Sequence, residues 1–233
     1  MVVYPRQPML PVLLVTDFAG TTLREDGAVL TAYRHAFARH GLPCSDDELA
    51  ARRGASKRAV FRELAARTSS DDPGELADAA LATFETALRE AYASGPVVEI
   101  EGASATLRQL RSAGVLLALT SGFERGVMDL LVNRLGWEAM FDVALASNDV
   151  AVGRPAPFLI YRAMQDLDVH DVAQVAVIGD TPLDLLAATN ARAGWVIGVL
   201  TGAHGQATLT RAPHTHLIPS IAELPALLGL AAG

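Results

Sequence analysis

Lysine is almost absent from this sequence of 233 residues: of its 19 lysine and arginine residues, only Lys57 is a lysine. Arginine carries the same positive charge, but it stays protonated in proteins and cannot form an imine with a carbonyl compound. A single amine held at one place is therefore a candidate Schiff-base nucleophile. The alternative is chance, since an arginine-rich composition leaves few lysines and one of them must fall somewhere.

Cysteine and long apolar runs are scarce as well. The one cysteine, Cys44, excludes an internal disulfide and is typical of a reducing compartment. Apolar runs such as residues 114–119 are far too short to span a bilayer. Residues 1–11 contain three prolines and do not have the pattern of a signal peptide. We therefore expect a cytoplasmic protein.

Positive charge is in deficit. The net charge of −7 and the isoelectric point near 5.3 predict that the chain binds neither nucleic acid nor membranes. An anionic substrate must then be held by a local cationic site. The sequence does not determine the oligomeric state, and we consider a homodimer as one possible assembly.

Short apolar runs rich in β-branched residues predict buried strands. They lie at residues 12–16, 115–120, 143–146, 175–178 and 195–199. Helical patterns lie between them, at residues 104–113, 125–135, 157–167 and 183–191. This alternation predicts an α/β fold with a doubly wound, Rossmann-like parallel sheet. In such sheets the ligand lies at the carboxyl ends of the strands.

The stretch from residue 30 to residue 93 shows helical spacing and no strand-like run. Within it, Ser45 and Glu48 have the spacing of a capping box, which opens a helix. We predict an α/β core domain formed by residues 1–24 and 98–233, and an all-helical cap domain formed by residues 25–97. A helical insert after the first strand suits a mobile lid over the strand ends.

Acidic residues follow two of the predicted strands. Asp17 ends the first strand, and Asp180 and Asp184 follow the strand at residues 175–178. Converging carboxylates repel one another unless a cation lies between them. A hard divalent ion with oxygen ligands, Mg²⁺ above all, meets that need. Such a site can bind phosphoryl oxygens and leave one carboxylate free to attack phosphorus.

Four short motifs stand at the predicted strand ends. They are Asp17-Phe18-Ala19-Gly20-Thr21, Thr120-Ser121-Gly122, Gly153-Arg154-Pro155-Ala156-Pro157 and Gly179-Asp180-Thr181-Pro182-Leu183-Asp184. In residues and order they resemble the haloacid dehalogenase superfamily of hydrolases, and the helical insert stands where a cap of that family would. The resemblance covers nearly the whole chain and implies the α/β fold of that superfamily.

The resemblance also implies roles for these residues. Asp17 would be the nucleophile and Arg154 the cation beside it. The candidate phosphoryl-binding residues are Thr21, Ser121 and Gly122. The candidate Mg²⁺ ligands are Asp17, the Ala19 carbonyl, Asp180 and Asp184. Arg53 is a further candidate for binding an anionic substrate, although an exposed helix face explains it equally well.

Two details narrow the subgroup. Most phosphatases of this superfamily carry a second aspartate two residues after the nucleophile, which acts as general acid; here that residue is Ala19. The first motif instead resembles that of the phosphonoacetaldehyde hydrolases, or phosphonatases, in which a cap lysine three residues after a glycine forms an imine. Gly54 and Lys57 have this spacing, and Arg154 matches the arginine of the third phosphonatase motif.

The implied activity is Mg²⁺-dependent cleavage of a C–P bond in phosphonoacetaldehyde or a close analogue, a small anionic organophosphorus compound. Lys57 would form the Schiff base and Asp17 an aspartyl phosphate. Lys57 must be neutral to attack, and we expect burial, Arg53 and Arg58 to lower its pKa. Val60 and Phe123 replace the histidine and tyrosine of the phosphonatases proper. Two alternatives stay open: a phosphatase for small phosphate esters, and a non-catalytic sensor of phosphorylated ligands.

Overall fold

Six parallel strands form the centre of the structure, a computed structural model that describes residues 10–50 and 52–230. The strands are β1 (Leu13–Asp17), β2 (Leu116–Thr120), β3 (Val143–Leu145), β4 (Val175–Gly179), β5 (Trp195–Val199) and β6 (His216–Ile218). Their order in the sheet is β3-β2-β1-β4-β5-β6. Each neighbouring pair is parallel, with Asp17 opposite Thr120 at the ends of β1 and β2.

Helices cover both faces of this sheet. They are α5 (Ala103–Ser112), α6 (Arg125–Leu135), α7 (Phe158–Asp166) and α8 (Pro182–Ala191), followed by the short α9 (Gln206–Leu209) and α10 (Leu224–Leu227). Alternate residues of β1 point to opposite faces: Leu14 packs in the cluster that contains α5 and α6, whereas Leu13 and Val15 pack with α7 and α8. Since β1 is buried on both faces, its sequence is a continuous apolar run rather than an alternating one.

Four further helices lie between β1 and α5. They are α1 (Ala28–His40), α2 (Asp46–Ala50), α3 (Lys57–Ala65) and α4 (Pro73–Ser94). Four aromatic side chains, Tyr33, Phe37, Phe61 and Phe84, pack α1, α3 and α4 together with ring centroids 4.5–5.7 Å apart. Aromatic rings at these separations contribute beyond their buried area. These rings belong to the same apolar cluster as Leu14 of the sheet and Leu107 of α5, so the insert packs continuously onto one face of the sheet.

The two chain segments that lead into and out of this insert run side by side. The amide of Arg24 donates to the carbonyl of Val98 at 2.9 Å, and the amide of Ile100 donates to the carbonyl of Thr22 at 2.8 Å. These bonds lie next to the predicted domain boundaries. The division into a core and a cap of residues 25–97 stays a prediction.

The predicted fold class is confirmed by the parallel sheet with helices on both faces. Each predicted strand and helix of the core lies within one residue of an observed one, and β5 and α6 match end to end. The predicted capping box is also present, since Glu48 N–H donates to Ser45 Oγ at 3.2 Å and Ser45 N–H donates to the Glu48 carboxylate at 3.0 Å. Within the described residues, no helix combines the length and the apolar character needed to cross a membrane.

Candidate active site

The strand order places β1 next to β4, at the point where the chain changes direction across the sheet. At such a switch point the loops after the two strands diverge and leave a crevice at their carboxyl ends. Asp17 is the last residue of β1, and Asp180 follows β4 directly. Asp184 joins them from the first turn of α8. The topology therefore brings the three predicted acidic residues to one place.

These three carboxylates are buried, and each offers an oxygen within 4.8 Å of the others. Burial raises the pKa of Asp17 from 3.8 to about 6, with Asp184 acting in the same direction and Arg154 opposing it. Burial, with repulsion from Asp17 and Asp184, also holds the pKa of Asp180 well above its usual range. A divalent cation would relieve this repulsion, and the all-oxygen donor set fits a hard ion.

Hydrogen bonds distinguish Asp184 from the other two acids. One of its oxygens accepts from the Thr181 amide at 3.0 Å and from the Thr181 hydroxyl at 2.6 Å, which caps α8. Its other oxygen lies 2.7 Å from Arg154 Nη1. Asp180 is held more lightly, by the Ala203 amide at 2.9 Å and the Thr21 hydroxyl at 3.4 Å. Asp17 and Asp180 are thus better placed to bind a metal directly, and Asp184 to support it.

Arg154 is the buried cation of this cluster. Its Nη1 donates to Asp17 at 2.5 Å, and its Nη2 donates to the Thr120 hydroxyl at 2.7 Å. Burial opposes its charge, yet the carboxylates of Asp184 and Asp17 raise its pKa above the usual value. Arg154 therefore stays charged beside the predicted nucleophile, where it can bind a phosphoryl oxygen.

Lys57 is the first residue of α3, and its amine reaches the same crevice from above the strand ends. Its Nζ lies 3.4 Å from the Ala55 carbonyl and 5.7 and 5.5 Å from the ring centroids of Tyr33 and Phe123. Burial lowers the pKa of Lys57 from 10.5 to about 8, against the opposing charge of Asp17. A useful fraction of the amine is therefore neutral near neutral pH.

The expected neighbours of Lys57 are only partly those observed. Arg53 lowers the pKa of Lys57 as expected, and Arg154 does so more strongly. Arg58 was expected to help, but its guanidinium turns away to Glu124 and Asp78. This follows from helix geometry, because successive residues of α3 point about 100° apart.

Glycine allows the loop before α3 to approach the core closely. Gly54 has a φ of +83°, and a Cβ there would lie 2.5 Å from Thr181 Oγ1 of the fourth motif. A Cβ on Gly122 of the second motif would lie 2.9 Å from the Ala55 carbonyl. The glycine three residues before Lys57 thus permits both a left-handed backbone and the contact that brings the amine over the strand ends.

A family model described as haloacid dehalogenase-like hydrolase matches residues 14–197. This chain belongs to that family, and it is a hydrolase. The phosphonoacetaldehyde hydrolase of Parabacteroides distasonis is 36% identical over 108 residues, which are 45% of this chain and 40% of that relative. The phosphonoacetaldehyde hydrolase of Syntrophobacter fumaroxidans is 31% identical over 205 residues, which are 80% of this chain and 71% of that relative.

Solved structures agree with this assignment at the level of the fold. A phosphonoacetaldehyde hydrolase-like protein from Oleispira antarctica superposes with a TM-score of 0.83 over 98% of this chain and 95% of that one, at 17% sequence identity. At an identity this low, the superposition supports a shared haloacid dehalogenase-like fold. It supports no finer statement about chemistry.

In this haloacid dehalogenase-like hydrolase a single cavity of about 660 Å³, its open mouth included, contains most of the predicted site residues. Those that line it are Asp17, Ala19, Arg53, Lys57, Ser121, Gly122, Arg154 and Asp180. Asp184 lies behind Arg154, and Thr21 is buried beneath Asp180 rather than on the cavity wall. The Ser121 oxygen accepts from the Phe123 amide at 3.0 Å, which orients its hydroxyl.

Several lining residues carry no sequence motif. They are Glu25, Val29, Leu30, Tyr33, Leu49 and Ala203, whereas the lining residue Thr181 belongs to the fourth motif and Phe123 follows the second. Glu25, Val29, Leu30 and Tyr33 come from the start of the insert, where helical spacing predicts a helix but not which of its faces covers the strand ends. Their participation is a tertiary property that no local pattern reveals.

Proposed function

We propose that this hydrolase cleaves the C–P bond of phosphonoacetaldehyde or a close phosphonoaldehyde analogue. One observation carries the proposal: the only lysine of the sequence is buried in the cavity that contains Asp17, with its pKa lowered to about 8. A surface lysine would serve only as a charge. A buried amine that is partly neutral near pH 7 has the property that imine chemistry requires.

The first stage is imine formation. The neutral amine of Lys57 attacks the aldehyde carbon, and loss of water gives a protonated imine. The face of the Phe123 ring, 5.5 Å from Nζ, favours this cation. The protonated imine withdraws electrons from the adjacent carbon, which bears the phosphonate. A carbon that is otherwise a poor leaving group can then depart as an enamine.

The second stage is transfer of the phosphoryl group. The Asp17 carboxylate attacks phosphorus, the electrons of the C–P bond move into the enamine, and Arg154 and Ser121 bind phosphoryl oxygens. Mg²⁺ held by Asp17, the Ala19 carbonyl and Asp180, with Asp184 in support, would neutralise further negative charge there. The carbon that has lost phosphorus then gains a proton, which converts the enamine back into a protonated imine. Water hydrolyses this imine and the aspartyl phosphate, which releases the aldehyde, phosphate and free Lys57.

Ala19 favours this function over hydrolysis of ordinary phosphate esters. An ester expels an alkoxide, which needs a proton from a general acid, and such an acid contributes about 10²–10⁴-fold to rate. Ala19 lines the cavity beside Asp17 and has no group to donate a proton. A carbon leaving group stabilised as an enamine does not need that acid.

Lys57→Arg is the decisive variant because it keeps the charge and removes the amine. We expect C–P cleavage to fall by at least about 10³-fold, as when other covalent nucleophiles are removed. Borohydride added during turnover should attach the two-carbon unit to Lys57 in the wild type and to no residue in the variant. Peptide mass mapping after the reaction measures this labelling in the wild type and in the variant.

The near absence of lysine provides a matched control. Arg211 is exposed and far in sequence from the motifs, so Lys57→Arg combined with Arg211→Lys restores one lysine per chain outside the site. This double variant should stay inactive and unlabelled at residue 211. If Lys57→Arg retained near wild-type turnover on a phosphonoaldehyde, the imine mechanism would fail and the phosphatase alternative would gain.

A further inference from the structure

Imine formation at Lys57 needs a group that moves protons, a role that is distinct from attack on phosphorus, phosphoryl binding and metal binding. The need for such a group rests on the proposed function, because only imine chemistry requires it. An ammonium must lose a proton before it attacks, and the hydroxyl of the resulting carbinolamine must gain one before it leaves as water. Ala19, Val60 and Phe123 have hydrocarbon side chains and cannot transfer a proton.

Among the described residues that line the cavity, the carboxylates are those of Asp17, Asp180 and Glu25. Asp17 is the proposed nucleophile and is paired with Arg154 at 2.5 Å. Asp180 is buried beneath the phosphoryl site and belongs to the candidate metal cluster. Glu25 belongs neither to the Asp17–Arg154 pair nor to the candidate metal cluster. Its carboxylate is therefore available to act at Lys57, where the aldehyde would bind.

The backbone fixes the position of the Glu25 side chain. Its Oε1 accepts hydrogen bonds from the Gly27 amide at 2.9 Å and from the Val29 amide at 3.4 Å, at the start of α1. Both bonds are to the same oxygen, and the residue is only partly buried. A carboxylate anchored in this way keeps its orientation toward the cavity while staying able to exchange protons with solvent.

Other charges face Glu25 across the cavity. Lys57 and Arg53 come from the α3 end of the insert, and Asp17, Asp180 and Arg154 from the core. The Glu25 charge is close enough to Lys57 to oppose the lowering of its pKa. It also acts on Tyr92 of α4, whose pKa burial raises. Glu25 and Lys57 therefore form an interacting acid–base pair in one water-accessible cavity.

We propose that Glu25 is the acid–base residue of imine formation at Lys57. Its carboxylate takes a proton from the Lys57 ammonium, and the neutral amine adds to the carbonyl carbon. Within the adduct a proton moves from nitrogen to the former carbonyl oxygen. The Glu25 carboxylic acid then protonates that hydroxyl as the C–O bond breaks, so water leaves, the protonated imine forms and Glu25 returns to its charged state.

Glu25→Gln is the matching variant because the amide oxygen can still accept from Gly27 and Val29 while the acid is lost. The measurement is the rate of imine formation between the full-length protein and acetaldehyde, read by rapid borohydride quench and mass spectrometry. Acetaldehyde contains no phosphorus, so neither Asp17 attack nor a metal ion enters. We expect a fall of about 10²–10⁴-fold in rate with an unchanged melting temperature.

The control is Asp26→Asn, which changes the neighbouring acid. Asp26 is exposed, its carboxylate accepts from the Ala28 amide at 3.4 Å, and it is not among the described residues that line the cavity. Its rate should equal that of the wild type. Glu25→Ala tests the role independently of packing, since added acetate or formate should restore imine formation in proportion to its concentration. A structural role would not be rescued in this way.

The outcomes separate the two proposals. If the wild type gives no adduct with acetaldehyde, the proposed function fails. If the wild type reacts and Glu25→Gln reacts at the same rate, only the role of Glu25 is overturned. A Tyr33→Phe variant that loses the rate while Glu25→Gln keeps it would assign the proton transfer to the buried Tyr33 hydroxyl and would likewise overturn the role of Glu25.

Discussion

Residue 19 distinguishes the proposed chemistry from that of an ordinary phosphatase, because the methyl group of Ala19 replaces a general acid. Ala19 lines the cavity two residues after Asp17, on a segment bridged to Leu23. We predict that Ala19→Asp raises turnover of an alkyl phosphate by up to about 10²-fold, because the new carboxyl can protonate the departing alkoxide. The same variant should not improve C–P cleavage, since its added charge faces an anionic substrate.

Steady-state rates on both substrate classes test this prediction. Ala19→Asn is the matched control, because it has nearly the same volume as aspartate and no acid function. Only the aspartate variant should gain activity on the alkyl phosphate. Equal behaviour of the two variants would show that Ala19 does not determine the substrate class.

At the scale of elements, an ion pair links α3 of the insert to the start of α6. Arg58 of α3 donates to both oxygens of Glu124, the residue just before α6, at 3.0 and 3.1 Å. Lys57 and Phe123 are the residues immediately before them, so this bidentate pair holds the amine near the Phe123 ring. The contact thus couples the position of the insert to the geometry of the site.

We predict that Arg58→Gln and Glu124→Gln each raise KM several-fold, and that the double variant is no worse than either single one. Arg58 is partly exposed, which limits the coupling energy to about 1 kcal/mol. A double-mutant cycle on kcat/KM measures it. Arg67→Gln is the control, because Arg67 pairs with Glu63 and Glu48 within the insert and should leave KM unchanged. Additive single effects would contradict the coupling.

The elements themselves were largely predictable from local sequence. The run at Trp195–Val199 is apolar and β-branched, and Gly136 in a left-handed conformation ends α6 where the pattern stops. The three-residue β6 is too short for its apolar pattern to define a strand, and the strands predicted from the sequence end with the one at residues 195–199. The turn of Arg58 away from Lys57 was missed because the sequence does not show that Glu124 lies opposite it.

At the scale of the whole molecule, the core site was predictable because parallel strands end at one edge. Asp17 and Asp180 had to converge once their strands were recognised. The far wall of the cavity was not predictable, since it depends on how the insert docks on the core. Glu25 and Tyr33 reach the cavity only through that docking, and the ring of Tyr33 packs on Phe84, a residue far away in the chain.

The buried carboxylates connect the stability of the molecule to pH and to metal ions. The pKa of Asp17 is raised from 3.8 to about 6 by burial, and that of Asp180 is raised in the same direction. The folded state therefore favours their protonated forms. The contribution of Asp17 to stability is fully present below pH 3.8 and is lost as the pH rises through about 6, and that of Asp180 is likewise lost as the pH rises. A cation that binds the ionised carboxylates should restore it.

We therefore predict that Mg²⁺ raises the melting temperature in a pH-dependent way. Below pH 5 protons occupy the carboxylates and Mg²⁺ should have little effect. At pH 7.5 an Mg²⁺ concentration near 100 times Kd should add about 2.7 kcal/mol of stability, which is roughly 5–11 °C for a chain of this size. Differential scanning calorimetry at several pH values, with NaCl matched for ionic strength, measures this.

Asp180→Asn separates the two effects, because it removes one buried negative charge and one metal ligand together. At pH 7.5 the metal-free variant should melt at a higher temperature than the metal-free wild type, since less repulsion remains. Its response to Mg²⁺ should nevertheless be lost. These opposite signs distinguish a metal site from a merely structural carboxylate. A variant that is destabilised without metal and still responds to Mg²⁺ would remove Asp180 from the ligand set.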